Sequence, residues 1–257
     1  MCTYGVGFSV VCFTNRAIPE PQVAEQQHCS PAFLYINLSS DIMMEHVFFE
    51  PWVGKDYQTG GIFDKKILVL GESHYCGNLE CMKACGILNS PEGGCEEFTH
   101  KMMIEYLNGY TNTWTPTFRK FERSLVNEVT TLEKSNDIWN SVAFYNFLQI
   151  AMERARKGGE AKDYEVARIA FLEVINELQP DVIFTWGTSR LYYNMPGIND
   201  GWEYGDELVI DGWKVPNGYY KLQNGKRSRV IAVYHPSTGY SWNWWYKVIS
   251  TEVKVIK

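Results

Sequence analysis

Two short apolar segments of the sequence end in residues that can take part in acid–base chemistry. The first, Ile67 to Leu70, runs into Gly-Glu-Ser-His-Tyr at 71–75, and the second, Val230 to Tyr234, runs into His-Pro-Ser at 235–237. Both motifs supply polar, reactive side chains, a carboxylate in the first and an imidazole in the second. Ligands of open α/β sheets bind at the carboxyl ends of parallel strands, so we predict that both motifs contribute to one site.

Two further segments end in the same way. Ser141 to Tyr145 precedes Asn146, and Asp181 to Trp186 precedes Gly187. Short runs of apolar and aromatic residues that stop at a polar residue or a glycine favour buried strands over helices.

Helical periodicity separates these strands. It predicts helices over Phe118 to Glu133 and Tyr164 to Leu178, and a closing helix over Ser241 to Lys254. The apolar face of the second helix is expected to consist of Val166, Ile169, Leu172 and Ile175. Strands that alternate with helices indicate βαβ units. We therefore expect an α/β fold, a three-layer α/β/α sandwich with a central four-stranded parallel sheet.

The chain is predicted to consist of an extension and one domain. Residues 1–43 lack periodicity and carry several Pro and Gln residues, which predicts an irregular N-terminal extension. Residues 44–257 are predicted to form the α/β domain. Within it, Trp202 to Tyr220 is rich in Gly, aromatic and β-branched residues and is predicted to be an inserted hairpin.

Charge and hydropathy narrow the classes of partner. A formal net charge of −6 argues against broad electrostatic binding to nucleic acid, although not against a local basic groove. The densest basic cluster, Lys226 to Arg229, fits such a groove or a solvated loop. No segment approaches the roughly 18 apolar residues that span a bilayer, and the first residues lack a secretory pattern. We expect a cytoplasmic monomer without a membrane partner.

The ordered motifs resemble those of the uracil-DNA glycosylase superfamily. Members carry Gly-Gln-Asp-Pro-Tyr-His or Gly-Glu-Ala-Pro-Gly after the first core strand, an Asn after a middle strand, a Trp-Gly after a later one, and a late His-Pro-Ser. The resemblance covers about residues 65–250 and rests on the order of the motifs. It implies a uracil-DNA glycosylase-like fold and hydrolysis of the N-glycosidic bond of a damaged or deaminated base extruded from DNA.

The resemblance also implies a role for individual residues. Gly71 allows close approach of the backbone to the ligand, Tyr75 walls off the C5 position of a pyrimidine, and Asn146 reads the base edge. His235 supports negative charge on the departing base, and Ser237 lies beside a DNA phosphate. No cofactor is required for this chemistry.

The first motif departs from the most studied branch of that family at the position that activates water. Ser73 stands where that branch has Asp, and a serine hydroxyl is a poor general base without a partner. Glu72 matches the Glu of the other branch and is predicted to orient the water. Ser73 and His74 are expected among the substrate-binding residues. Tyr240, in the loop after His-Pro-Ser, is expected to act as a wedge that fills the gap left by the flipped base.

A cluster of cysteines follows the first motif. Cys76, Cys81, Cys85 and Cys95 fall within twenty residues. Such density can supply the ligands of a structural zinc or an iron–sulfur cluster, but the Cys-x-x-Cys pair of familiar zinc fingers is absent. The spacing also differs from the iron–sulfur pattern of the thermophilic glycosylases. A structural zinc site and free thiols therefore both remain open.

Two other functional classes remain open. A non-catalytic protein of the same fold that binds a nucleotide or nucleic acid is consistent with the acidic charge and with Ser73. An SGNH-type serine esterase would use Ser73 as nucleophile and His235 as base, with Gly197 to Asp200 as the oxyanion-hole block. Ala232 occupies the position, three residues before the His, where that family has an Asp.

Overall fold

The computed structural model describes residues 44–76 and 95–256. The predicted N-terminal extension over 1–43 therefore lies outside the described residues. None of the helices in the described ranges is both long and apolar enough to cross a lipid bilayer.

The architecture is a seven-stranded mixed sheet with a separate two-stranded hairpin. The strands are β1 Trp52–Val53, β2 Ile67–Gly71, β3 Val142–Asn146, β4 Val182–Trp186, β5 Trp202–Tyr204, β6 Leu208–Ile210, β7 Trp213–Val215, β8 Asn217–Lys221 and β9 Arg227–Val233. The order in the large sheet is β1-β3-β2-β4-β9-β8-β5. β3, β2, β4 and β9 are parallel, as predicted. A sheet of only four strands is wrong, because antiparallel strands extend both edges.

Helices cover both faces of the sheet. They are α1 Phe98–Leu107, α2 Thr115–Val126, α3 Leu132–Asn140, α4 Ala161–Leu178, α5 Arg190–Asn194 and α6 Trp242–Ile249. Ile67 and Val69 share one buried cluster with α1, α2, α3 and α6, whereas Leu68 and Leu70 share the other with α4 and α5. A strand buried on both faces needs a continuous apolar sequence, which explains the pattern of β2.

Two helix predictions need correction. The helix expected over 118–133 is two helices, because Asn127 adopts a left-handed conformation that ends α2 and the Thr131 side chain caps α3. Val129 lies between them and is 68% exposed. In α4 the buried face is formed by Tyr164, Ala167, Ala170, Phe171, Val174, Ile175 and Leu178. The predicted stripe is wrong at Val166 and Ile169, which are exposed.

The predicted insertion over 202–220 contains two nested antiparallel pairs rather than one hairpin. β5 pairs with β8, which joins the large sheet through β9. β6 and β7 form the inner hairpin, and its Asp211-Gly212 turn has positive φ at both residues, as tight two-residue turns require. Lys247 of α6 donates a 2.6 Å hydrogen bond to the Asp211 carboxylate and holds the hairpin tip against the helix.

Candidate functional site

The carboxyl ends of the four parallel strands open into one cavity of about 590 Å³. This volume lies in the usual range for small-ligand sites, about 300–1,000 Å³. The structure brings together most of the predicted residues in its lining, namely Gly71, Glu72, Ser73, His74, Tyr75, Asn146 and His235. Ser237 and Tyr240 are not part of that lining. We call this space the strand-end cavity.

Aromatic rings form much of the cavity wall. Phe118, Phe144 and Trp186 lie with ring centroids 5.1–5.3 Å apart, and Phe98 and Trp114 complete the apolar lining. Such a wall accepts a planar ring by stacking or edge contact. None of the site residues predicted from the sequence lies in α1, α2 or the loop between them. Their only signal was the density of aromatic residues between 98 and 118.

His235 is held in one neutral tautomer. The Ser237 backbone N–H donates to His235 Nδ1 at 3.2 Å, and the Ser237 hydroxyl lies 2.7 Å from the same nitrogen. A backbone N–H can only donate, so Nδ1 accepts and the neutral ring carries its proton on Nε2. Burial lowers the pKa of His235 below the usual 6.5. The cavity therefore contains a neutral imidazole with an Nε2–H donor.

Asn146 lies opposite Gly71 in the parallel register of β2 and β3. Its side chain is buried, and Asn146 Nδ2 lies 3.2 Å from the ring nitrogens of His74. A Cβ atom on residue 71 would lie 2.3 Å from Asn146 Oδ1. Gly71 is therefore the residue that makes room for the Asn146 amide, which is a steric role rather than a conformational one.

The Gly71→Ala substitution tests this close approach. We expect it to lower the free energy of unfolding by about 1–3 kcal/mol, because the added methyl group overpacks a buried site. Urea denaturation measures the change. The Gly71→Ala and Asn146→Ala effects should not add in the double variant, since the second substitution removes the clashing atom. Additive effects would contradict the steric explanation.

His74 is a buried neutral histidine. Burial lowers its pKa to about 3. Its Nε2 lies 3.0 Å from the Thr99 hydroxyl, and the ring packs against Phe49 and Phe98 with centroids 4.8 and 4.6 Å away. All partners are satisfied when Nδ1 accepts from Asn146 and Nε2–H donates to Thr99. His74 thus fixes the amide that faces the cavity.

The buried His74 predicts a pH dependence of stability. Between pH 6.5 and about 3 the unfolded chain binds a proton on residue 74 that the folded chain does not, so stability rises with pH across this window. We expect a loss of about 1 kcal/mol on going from pH 6.5 to pH 5.5. Urea denaturation of the His74→Gln variant should show a shallower slope. Equal slopes for the variant and the parent would contradict the assignment.

The carboxylate of Glu72 is bound by two side chains, one from α4 and one from α5. Arg190 Nε and Nη2 donate to its two oxygens, and the Tyr164 hydroxyl donates to Oε1 at 2.8 Å. Burial and this carboxylate raise the pKa of Tyr164 to about 12. An ionised carboxylate offers about four acceptor positions, of which three are filled here. Glu72 therefore keeps one position for water, while Arg190 and Tyr164 are site residues that the sequence analysis missed.

Two residues of the cavity lining carry buried polar atoms without a hydrogen-bond partner. They are the hydroxyl of Ser73 and the indole N–H of Trp186, and neither has a partner among the described residues. Buried polar groups are nearly always satisfied, so these two atoms are exceptions to the general rule. The Ser73 hydroxyl does not bond His235, and the esterase dyad is therefore not formed in the described residues.

Tyr240 occupies the core rather than the expected wedge position. It is only 7% exposed, its hydroxyl lies 2.7 Å from the Ser124 hydroxyl, and its ring stacks on Trp245 at 5.7 Å. A wedge has to protrude into DNA, so this side chain does not fit that role. Ser237 is exposed but bonds His235, which makes it an orienting residue. Tyr75 is 43% exposed at the cavity mouth.

The cysteine cluster falls only partly within the described residues. Cys81 and Cys85 lie outside them, and Cys76 and Cys95 are half-buried. In the ranges 44–76 and 95–256, no group of three or more His, Cys, Asp or Glu side chains is arranged to hold a metal ion. The zinc hypothesis stays a prediction.

The arrangement stands without support from sequence relatives. No model of a known protein family matches the chain, and no curated protein matches it.

Proposed function

We propose that the strand-end cavity binds a nucleobase extruded from DNA, and that the protein hydrolyses its N-glycosidic bond as a divergent member of the uracil-DNA glycosylase-like fold. One observation carries the proposal. A neutral His235 with an Nε2–H donor and a buried Asn146 amide line the same aromatic cavity. This pair suits a planar ring that exposes both donors and acceptors and that leaves as an anion.

The chemistry assigned to the cavity is a displacement at the sugar. The oxygen of water bonds to C1′, the bond from C1′ to the base nitrogen breaks, and its electron pair leaves with the base. The proton that the water loses passes to solvent, from which the base anion is later protonated. His235 Nε2–H donates a hydrogen bond to the resulting anion, and a preorganised donor of this kind is favourable because it needs no reorganisation. Asn146 reads the ring edge, while the rings of Phe144 and Trp186 provide the apolar wall.

Glu72 is assigned to the water. Its remaining acceptor position can receive a hydrogen bond from a water molecule, which orients the oxygen lone pair towards C1′. Arg190 and Tyr164 hold the carboxylate in place. Because Arg190 and Tyr164 already occupy three of its acceptor positions, Glu72 is assigned the orientation of the water rather than strong proton abstraction.

A second candidate function is supported by the same contacts. Glu72 is the only acidic residue of the first motif, and its ion pair with Arg190 occupies much of its hydrogen-bonding capacity. Ser73 supplies no carboxylate. A protein that binds a nucleobase without cleaving it needs no water-activating group. The non-catalytic nucleotide or nucleic-acid binder is therefore the alternative that the experiment has to separate.

An excision assay separates the two. Single- and double-stranded oligonucleotides that carry uracil, hypoxanthine or xanthine are incubated with the full chain, and released base is measured. We expect release by the parent and about tenfold slower release by Glu72→Gln, with base binding changed less than twofold. Tyr164→Phe is the matched control, because it keeps the carboxylate and removes one hydrogen bond. Binding of base without any release would establish the binder instead.

A further inference from the structure

A second cavity of about 530 Å³ lies at the ends of β4 and β9, beside the strand-end cavity. Four aromatic residues, Trp213, Tyr234, Trp244 and Trp245, contribute to its lining, and we call it the tryptophan cavity. Trp213 comes from the inner hairpin and the others come from the end of β9 and from α6. The proposed reaction makes no use of this space.

The two cavities share a wall. At the end of β9, His235 lines the strand-end cavity and its neighbour Tyr234 lines the tryptophan cavity. Successive residues of an extended chain point to opposite sides and are 3.8 Å apart. A polymer that places one of its units in the strand-end cavity therefore passes the mouth of the tryptophan cavity one or two units further along.

The rings of the tryptophan cavity are available for stacking. Trp213 is 66% exposed and Tyr234 is 47% exposed. Trp245 is buried and holds Tyr234 and Trp244 in place, with ring centroids 5.2 and 4.8 Å away. Large aromatic side chains are costly to expose to water, and exposed rings around a concave space are typical of sites that stack bases of single strands.

Charges near the hairpin fit the same occupant. Lys214 lines the tryptophan cavity, and its ammonium pairs with Glu207 on the surface. Both groups of this ion pair are largely exposed, so the pair is weak and Lys214 can exchange Glu207 for a phosphate. Asp211, the other acid of the hairpin, is already paired with Lys247.

We infer that the tryptophan cavity holds the base of a nucleotide that neighbours the extruded one on the same strand, by stacking against Trp213 and Tyr234. The inference rests on the proposed function, because that function places the strand beside the cavity. It adds a preference for single-stranded or locally opened substrate, since a base stacked here has left its own duplex position.

Binding of short oligonucleotides tests the inference. The probe is a labelled single-stranded thymidine pentamer with a central 2′-fluoro-deoxyuridine, whose N-glycosidic bond resists hydrolysis. Fluorescence anisotropy measures its affinity for the full chain. We expect Trp213→Ala to weaken binding about tenfold. Trp213→Phe should restore most of the affinity because it keeps a ring. Tyr204→Ala is the matched control, since Tyr204 is 76% exposed on neighbouring β5 and lies outside the cavity lining.

A second probe that lacks the bases on both sides of the central nucleotide locates the effect. It should bind the parent about tenfold more weakly than the full pentamer, and Trp213→Ala should not distinguish the two probes by more than twofold. The inference would be overturned if the parent and Trp213→Ala bound the pentamer with equal affinity, or if both lost equal affinity when the flanking bases are missing. It would also be overturned if neither probe bound. If only the proposed function fails, no base is released in the excision assay, but binding of the pentamer still depends on its flanking bases.

Discussion

Replacement of His235 by alanine is expected to slow base release by about 100- to 1,000-fold, because the variant loses the Nε2–H donor to the departing base. Single-turnover release from an oligonucleotide measures the rate of the chemical step. Base binding should fall much less, since the donor acts mainly on charge that develops in the transition state. A variant that releases base at the parental rate would remove His235 from the mechanism.

Two controls define what His235 does. Ser237→Ala removes the hydroxyl but keeps the backbone N–H that fixes the tautomer, so its rate should fall less than tenfold. Because burial lowers the pKa of His235 below 6.5, the neutral form predominates between pH 7 and 8. We expect no titration of His235 in the rate across that range. A rate that follows a group with pKa near 7 would contradict the neutral donor.

Removal of the Glu122 carboxylate is expected to produce the largest loss of stability. Glu122 is fully buried, and four side chains donate hydrogen bonds to it, namely Tyr106, Thr130, Ser135 and Trp139. Glu122→Ala leaves the buried Tyr106 and Trp139 donors without an acceptor in the core, so the free energy of unfolding should fall by about 3–5 kcal/mol. Urea denaturation followed by far-ultraviolet circular dichroism measures the loss.

Glu128 provides the matched comparison. It lies in the α2–α3 connection, is largely exposed and pairs with Lys134 at 3.7 Å. Its replacement by alanine should change the free energy of unfolding by less than about 1 kcal/mol, as is usual for surface ion pairs. Similar losses of unfolding free energy in the two variants would mean that the buried hydrogen bonds of Glu122 stabilise the fold no more than a surface ion pair does.

The parallel core of the sheet was predictable because strands that are buried on both faces have continuous apolar sequences. The four runs at 67–70, 141–145, 181–186 and 230–234 overlap β2, β3, β4 and β9. The edges were not predictable in the same way. β1 has two residues and exists through its pairing with β3, so no local pattern announces it. The periodicity over 118–133 also failed, since one left-handed residue divides it.

The site was predictable only where chemistry coincides with strand ends. Asn146 and His235 follow buried strands, and the structure brings both to the cavity. Arg190 and Tyr164 were missed because they reach Glu72 from α5 and α4, 118 and 92 residues further along the chain. Tyr240 was misjudged for the opposite reason. An aromatic residue after a motif gives no sign of whether it protrudes or, as here, stacks inside the core.

The close approach of Gly71 and Asn146 also limits how this protein can evolve. Because a Cβ atom on residue 71 would overlap the Asn146 amide, a larger residue at position 71 costs less stability once the side chain at 146 has shortened. Shortening it removes the amide that faces the cavity. A lineage that replaces Gly71 without this loss of stability therefore gives up the Asn146 amide first, and with it the role in reading a ring edge that we propose for that amide.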